Sequence, residues 1–411
     1  MNRWFILSLG IIANLAQGVV YAASVISTPM MEGLLGITNP AEIKSCFAVI
    51  FAMACIFIPL GMLLAGYLEK ISHRLPIALG TVVFGVGVFS SGFVTNFYVL
   101  CITFGFMLSF GSGLAYGPIV ANAVRWFPDK KGLASGLAVA ALGFGPIWMA
   151  PLCATLLAEG FAIQQVLNIL GVICFLMMSA AILMPAPPQP QTAAQSTPTG
   201  NDVVWTRMLR TGKFWLLFTL FFLGIVSGMM IYSAASGIFQ SIGGFSLEQA
   251  AYLVGVLAVA NALGRFLWGT ISDYLGRVNA LIIMYTLSTL MMLGLALPTN
   301  PTVLIAVTVV MGITYGGYLG LFPSFCAESF GLKNMAMNYA ILFCAFSLAA
   351  LVGPRIYASF EPQQAFFIAA GLAFTGCILA LLYRHANTPA VCTPAVRTAS
   401  NPPQGDDRKH E

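Results

Sequence analysis

Charge is what this sequence has least of. Asp, Glu, Lys and Arg together make up 8% of its 411 residues, against roughly a quarter in a soluble domain. That shortage excludes an ordinary water-soluble fold. No basic patch with interleaved aromatics occurs, so nucleic acid is not an expected partner. Histidine is scarcer still: His73, His385 and His410 lie at the edge of an apolar segment or in the tail, where no buried metal or proton relay could use them. Nine cysteines stand singly (Cys46, Cys55, Cys101, Cys153, Cys174, Cys326, Cys344, Cys377 and Cys392), without the paired spacing of a zinc site or disulfide framework. They read as packing residues. With no metal-ligand cluster, Ser/His/Asp set or cofactor loop, the sequence implies no catalytic residue, no metal, no cofactor and no enzyme.

What is present is apolar. Hydrophobic residues make up 59% of the chain and the mean hydropathy is +0.90. A helical span needs about 20 apolar residues, and twelve such stretches can be placed, at 4–28, 45–66, 76–94, 98–123, 131–157, 162–184, 212–236, 248–271, 278–298, 301–326, 335–358 and 362–384. The expected fold is an all-α protein of twelve transmembrane helices, with the lipid bilayer as its solvent. Val20-Tyr21-Ala22 resembles a signal-peptidase site, but the run before it is too long, and it has a counterpart later in the chain, so it is read as a retained first span.

Lys and Arg collect on the cytoplasmic side of short loops. With the N-terminus inside, 15 of the 18 basic residues fall on that side, leaving Lys44, Arg265 and Arg355, while Glu32, Glu42, Glu159, Glu248 and Glu361 fall opposite. Both termini are therefore expected in the cytoplasm, in a multi-pass protein of the cell inner membrane. The formal net charge of +5 is this bias.

The chain repeats itself at an offset of about 200–210 residues. Arg3–Tyr21 resembles Lys213–Tyr232, Gly66–Arg74 resembles Gly269–Arg277, Gly117-Pro118 matches Gly320 to Pro323, and Gly145-Pro146 matches Gly353-Pro354. Two pseudo-symmetric six-helix bundles are expected, 1–184 and 212–386, joined by a flexible Pro- and Gln-rich cytoplasmic linker, 185–211, and followed by a disordered tail, 387–411. Two such halves around a central charged site are the outline of a transporter with alternating access.

The motif Gly269-x-x-x-Asp273-x-x-Gly276-Arg277 and the twelve-span plan resemble the major facilitator superfamily. More narrowly, Arg125-Trp-Phe-Pro-Asp-Lys-Lys-Gly-Leu-Ala-Ser-Gly136 resembles a loop of the oxalate/formate antiporter family, relatives of the monocarboxylate transporters. The likeness continues through Gly18-Val-Val-Tyr21, Tyr116-Gly117, Arg265 with Trp268-Gly269, Gly316-Gly317, Leu321–Ser324 and Asn338-Tyr339. It implies that Asp273 and Arg277, and in the first half Glu69, Lys70 and Arg74, form gate latches. The first-half copy departs from the family pattern, with Glu69 in the Asp place and Ser72 in the Gly place.

Arg265 is the candidate site. A guanidinium at membrane depth is costly and needs a partner, and no Asp or Glu lies inside any other apolar segment. A substrate anion is the expected partner, since guanidinium donors match carboxylate oxygens in pairs. The alternative is a structural Arg, bonded to backbone carbonyls or snorkelling to the surface. Asn261 shares its helix face one turn earlier. Tyr21, Tyr116, Tyr232, Tyr315 and Tyr318 lie on the spans that the resemblance places around the cavity, and Gln17 is polar within span one. Arg355 is a candidate second contact or outer-gate residue. Where the family's oxalate carriers place a Lys on span eleven, this chain aligns Phe346, and one buried positive charge suits a monoanion better than a dianion.

The expected function is a secondary transporter of small organic monoanions of the lactate, pyruvate or formate type, working as a monomer by anion exchange or with protons. The alternatives are an oxalate/formate-type dicarboxylate antiporter, a drug efflux carrier, which would be expected to bury a carboxylate, and a non-transporting membrane sensor.

Overall fold

The computed structural model describes residues 2–186, 202–297 and 300–387, with the side chains of 20–25 and 247 left aside. Every long element in it is a helix. Eleven helices are long and apolar enough to cross a bilayer: Pro40–Leu68, Arg74–Phe93, Phe97–Trp126, Lys131–Ala158, Ile163–Leu183, Gly212–Ser241, Glu248–Leu275, Arg277–Ala296, Pro301–Phe330, Met335–Ser359 and Pro362–Ala386. They are spans two to twelve below.

The first span departs from the single helix expected. It is two helices in series, Arg3–Gln17 and Val19–Leu35, broken at Gly18. A Cβ on Gly18 would lie 2.4 Å from Cα of Gly145 and 2.8 Å from the carbonyl oxygen of Leu142. The break therefore sits where the backbone of span one meets that of span five.

Local chemistry sets the helix ends. Asn39 caps Ala41 N with Pro40 at the first position, Asn300 caps Val303 N ahead of Pro301, and Ser246 with Gln249 forms a capping box. Gly276 and Gly331, at φ 81° and 84°, close spans eight and ten in a conformation that side chains with a Cβ avoid.

Packing repeats across the chain. Span five lies along span eight and span two along span eleven, the pairs that the duplication relates. A single apolar core joins Met62, Tyr116 and Val139 of the first half to Phe221, Phe322 and Phe343 of the second. Of the expected linker, 187–201 lies outside the described residues, but 202–211 is packed chain. Val203 N donates to Phe330 O at 3.0 Å, Trp205–Met208 forms a helical turn and Met208 is buried. Its apolar residues, Val203, Val204, Trp205, Met208 and Leu209, explain why this stretch docks. The tail, 388–411, lies outside the described residues.

Candidate functional site

A cavity of about 40 Å³ lies between the halves, walled by Gln17, Ser112, Tyr116, Arg265, Phe343 and Phe346 together with Ile58, Val139, Leu142 and Leu319. At roughly 10–15 Å³ for each water, it holds about three heavy atoms. Arg265 is 3% exposed, so it does not snorkel. It donates from Nε to Oδ1 of Asn261 at 3.1 Å and from Nη1 to the carbonyl oxygen of Val139 at 3.0 Å. Both acceptors are neutral, and the guanidinium forms part of the cavity wall.

A buried polar chain reaches the same cavity from the first half. Ser112 Oγ donates to Gln17 Oε1 at 2.7 Å, Gln17 Nε2 to Asn14 Oδ1 at 2.9 Å, and Asn14 Nδ2 to the carbonyl oxygen of Ala138 at 2.7 Å. Consecutive carbonyls of span five, at Ala138 and Val139, thus hold Asn14 of the first half and Arg265 of the second. Each buried amide atom in that chain has a partner, which keeps Gln17 in one rotamer. By contrast, Asn261 Nδ2 is buried with no hydrogen-bond partner among the described residues.

The tyrosines divide. Tyr116 is on the cavity wall, 4% exposed, its ring 5.9 Å from that of Phe343. Tyr232, Tyr315 and Tyr318 are not among the residues of that wall. Tyr232 donates to Leu257 O at 2.9 Å and packs on Tyr315 at 5.1 Å. Tyr318 meets Ser288 Oγ at 3.2 Å and packs on Tyr285. Gly224 leaves room for the Tyr318 ring and Gly228 for that of Tyr315, both within the second half. The side chain of Tyr21 lies outside the described residues. Arg355 is exposed and stands apart from the cavity, with no ion pair among the described residues.

Below the cavity, the end of the bundle that carries the basic loops is closed by two ionic sets. Asp273 accepts from Gly132 N and Leu133 N, both at 2.8 Å, at the start of span five, and pairs with Arg277 at 2.6 Å. Arg277 also reaches Glu328 at 2.8 Å and Ser272 Oγ. A carboxylate over the first N–H groups of a helix is favourably placed. Gly132 is required here, because a Cβ would lie 2.0 Å from Gly269 O.

The first-half copy is wired differently. Glu69 meets Arg125 at 2.5 and 3.3 Å and His73 at 3.3 Å, while Arg125 donates across to Leu332 O at 3.0 Å and Lys333 O at 3.3 Å. Burial pushes the Glu69 carboxyl up, but the His73 hydrogen bond and the Arg125 charge outweigh it and hold it below its ordinary value. Lys70 is exposed near the Tyr67 ring and Arg74 is exposed at the start of span three. Neither joins this ion pair.

Several contributors were not singled out from sequence. Ser112 is one helical turn from Tyr116, a spacing that could have revealed it. Arg125 and Ser135 sit inside the twelve-residue loop motif, and Ser135 Oγ donates to Gly320 O at 2.9 Å. The carbonyl of Val139 carries no sequence signal at all.

Comparison with known proteins places this geometry. The family model described as "Major Facilitator Superfamily" matches residues 9–354. The oxalate:formate antiporter of Oxalobacter formigenes is 28% identical over 398 residues, covering 92% of this chain and 91% of that protein. Monocarboxylate transporter 12 of Xenopus laevis is 26% identical over 310 residues, covering 69% and 67%. Among solved structures, FucP, a Major Facilitator Superfamily transporter in its outward conformation, superposes with a TM-score of 0.70 at 15% identity, covering 92% of this chain and 98% of that one.

Proposed function

Because the chain belongs to the Major Facilitator Superfamily, we propose that it carries small organic monoanions across the cell inner membrane by alternating access, with Arg265 as the anion's clamp. The observation that carries this reading is the placement of Arg265. It is a buried guanidinium on the wall of a cavity between the halves, which it shares with the Gln17–Ser112 pair and Tyr116. A carboxylate there meets a planar cation for charge and the second Nε2 hydrogen of Gln17 for orientation, and at about three heavy atoms the cavity as it stands matches formate, with Phe343 and Phe346 as its apolar wall.

Two features favour a monoanion. Among the described residues the cavity wall holds one formal cation and no carboxylate, so a dianion would keep about one unit of charge uncompensated in low dielectric. Phe346 is on that wall, at the position where the resemblance puts a Lys in oxalate carriers. The names of the relatives, an oxalate:formate antiporter and a monocarboxylate transporter, support small organic anions as the wider class. A cation exporter would need a buried acid, and the carboxylates at the basic ends of spans eight and ten, Asp273 and Glu328, are engaged by Arg277.

Among the described residues the wall includes no His, Asp or Glu to take up a proton, which supports anion exchange over proton symport. In this reading the six spans on either side of the linker rock against each other, the basic loops and both termini face the cytoplasm, and the monomer is sufficient. Gln17, Asn261 and Tyr116 are the positioning residues of the clamp. Asp273, Arg277 and Glu69 latch the cytoplasmic end, and with that end closed the cavity is served from the other side.

Counterflow in proteoliposomes tests the substrate class. Vesicles loaded with unlabelled formate, lactate or pyruvate should accelerate uptake of the labelled acid well above empty vesicles, with oxalate a poor competitor. Uptake confined to dicarboxylates, or to lipophilic cations, would overturn the reading.

A further inference from the structure

The three tyrosines most deeply buried in the second half are Tyr285, Tyr318 and Tyr339, each at most 1% exposed. Tyr285 donates to the carbonyl oxygen of Leu220, and Tyr318 meets Ser288 Oγ at 3.2 Å. The hydroxyl of Tyr339 is different: it is buried with no hydrogen-bond partner among the described residues. Leaving a buried hydroxyl unpaired is unfavourable, and a Phe of the same shape would pack as well without it. The oxygen therefore calls for a role other than packing.

Its place in the fold supplies one. Tyr339 lies on span eleven, one helical turn, or about 6 Å, nearer the basic end than Phe343, which forms part of the cavity wall. The Tyr339 ring meets that of Phe343 edge-on at 5.7 Å, and Phe343 in turn lies 5.9 Å from the ring of Tyr116. Tyr339 is not among the wall residues, so it stands behind them, on the side of the basic end. The polar groups that act on its hydroxyl include Tyr116, Cys326 and Arg265. Tyr116 belongs to span four, so the two phenols approach each other across the boundary between the halves.

We propose that Tyr339 is a positioning residue of the anion site: with cargo bound, it donates to the phenol oxygen of Tyr116, so that the Tyr116 O–H points at the carboxylate. This rests on the reading of Arg265 as an anion clamp. A phenol donates one hydrogen and accepts through its oxygen. A carboxylate is a stronger acceptor than a neutral phenol, so Tyr116 gives its hydrogen to the anion and its oxygen accepts from Tyr339. Each bond in such a chain polarises the next. Tyr339 makes no contact with the anion itself, because its hydroxyl is fully buried behind the wall.

Full-length wild type, Y339F, Y116F and Y116F/Y339F are reconstituted in proteoliposomes and assayed for counterflow of labelled formate, lactate and pyruvate. For the acid carried, Y339F should raise the half-saturation concentration about 3-fold or more, within the range of one neutral hydrogen bond, and by a larger factor than it lowers the maximal rate. Adding Y339F to Y116F should raise it no further. Melts separate this role from packing. Without the acid, Y339F should melt no lower than wild type, and the rise in melting temperature on adding the acid should be smaller in Y339F. An unchanged half-saturation concentration in Y339F, an effect that persists in full in the Y116F background, or a melt of Y339F well below that of wild type overturns the assignment while leaving the clamp intact. A wild type that carries none of the three acids overturns the clamp reading, and this assignment with it.

Discussion

Arg265 donates to the carbonyl oxygen of Val139 at 3.0 Å, so the cation on the cavity wall is tied to span five of the other half. The adjacent carbonyl, of Ala138, accepts from Asn14. Span five therefore registers both sides of the cavity, and its packing against spans one and eight sets where Arg265 points.

The contact of Gly18 with Gly145 should be intolerant of any added atom. A Cβ on either residue falls 2.4 Å from the other's Cα, with backbone on both sides and no flexible side chain to move. Gly145→Ala should cost about 1–3 kcal/mol, the usual range for overpacking, and lower the melting temperature in detergent. An unchanged melt would show that span one can shift freely.

Gly132→Ala should pry open the basic end. Its Cβ would meet Gly269 O at 2.0 Å and lie 2.8 Å from Asp273 Oδ1, displacing the carboxylate from its two N–H donors. In a background lacking native cysteines, a charged thiol reagent added at the basic end should modify Ser112→Cys about 10-fold faster when Gly132→Ala is present, a change that corresponds to about 1.4 kcal/mol in the closure equilibrium.

The Glu69 set should give the closed end an acid sensitivity. The carboxyl of Glu69 is held below its ordinary value, about 4.3, and faces Arg125 and His73, with Lys70 and Lys333 around a second cavity beside it. A depressed folded value stabilises this conformer above the unfolded value, and that stability is lost as pH falls through the folded value. Melts of wild type and Glu69→Gln should therefore differ at pH 6 and converge at acid pH, with wild type the more stable at pH 6. Parallel curves at all pH values would refute the assignment.

Much of this was legible in the sequence because a bilayer leaves few options. Long apolar runs must be helices, though span two, placed from 45, begins at Pro40 behind its Asn39 cap. Arg265 stood out because a charge in such a run is costly. Gln17, singled out by polarity, and Tyr116, singled out by the resemblance, both lie on the cavity wall. The rest depends on distant contacts. Gly18 breaks span one only because Gly145 is pressed against it, and Arg125 rewires Glu69 only because the 332–333 backbone is within reach. Tyr232, Tyr315 and Tyr318 had no such match as Tyr116 has, and a helix that is apolar all round gives no periodicity from which their facing can be read.

Phe346→Lys should alter selectivity. A second cation on the cavity wall would lower the cost of holding a dianion, so oxalate should begin to compete with a labelled monocarboxylate in counterflow, by about 10-fold or more in inhibition constant. Unaltered competition would mean that Phe346 does not face the bound anion.

Counterflow of a labelled monocarboxylate through Arg265→Ala, at matched protein insertion and with its melt verified, tests the central claim most directly. Removing one side of a buried, hydrogen-bonded charge pair costs about 2–5 kcal/mol, so the account predicts at least about a 30-fold loss. Arg265→Lys, which keeps the charge without the planar fork, should recover only part of it. Uptake by Arg265→Ala at the wild-type rate would contradict the account.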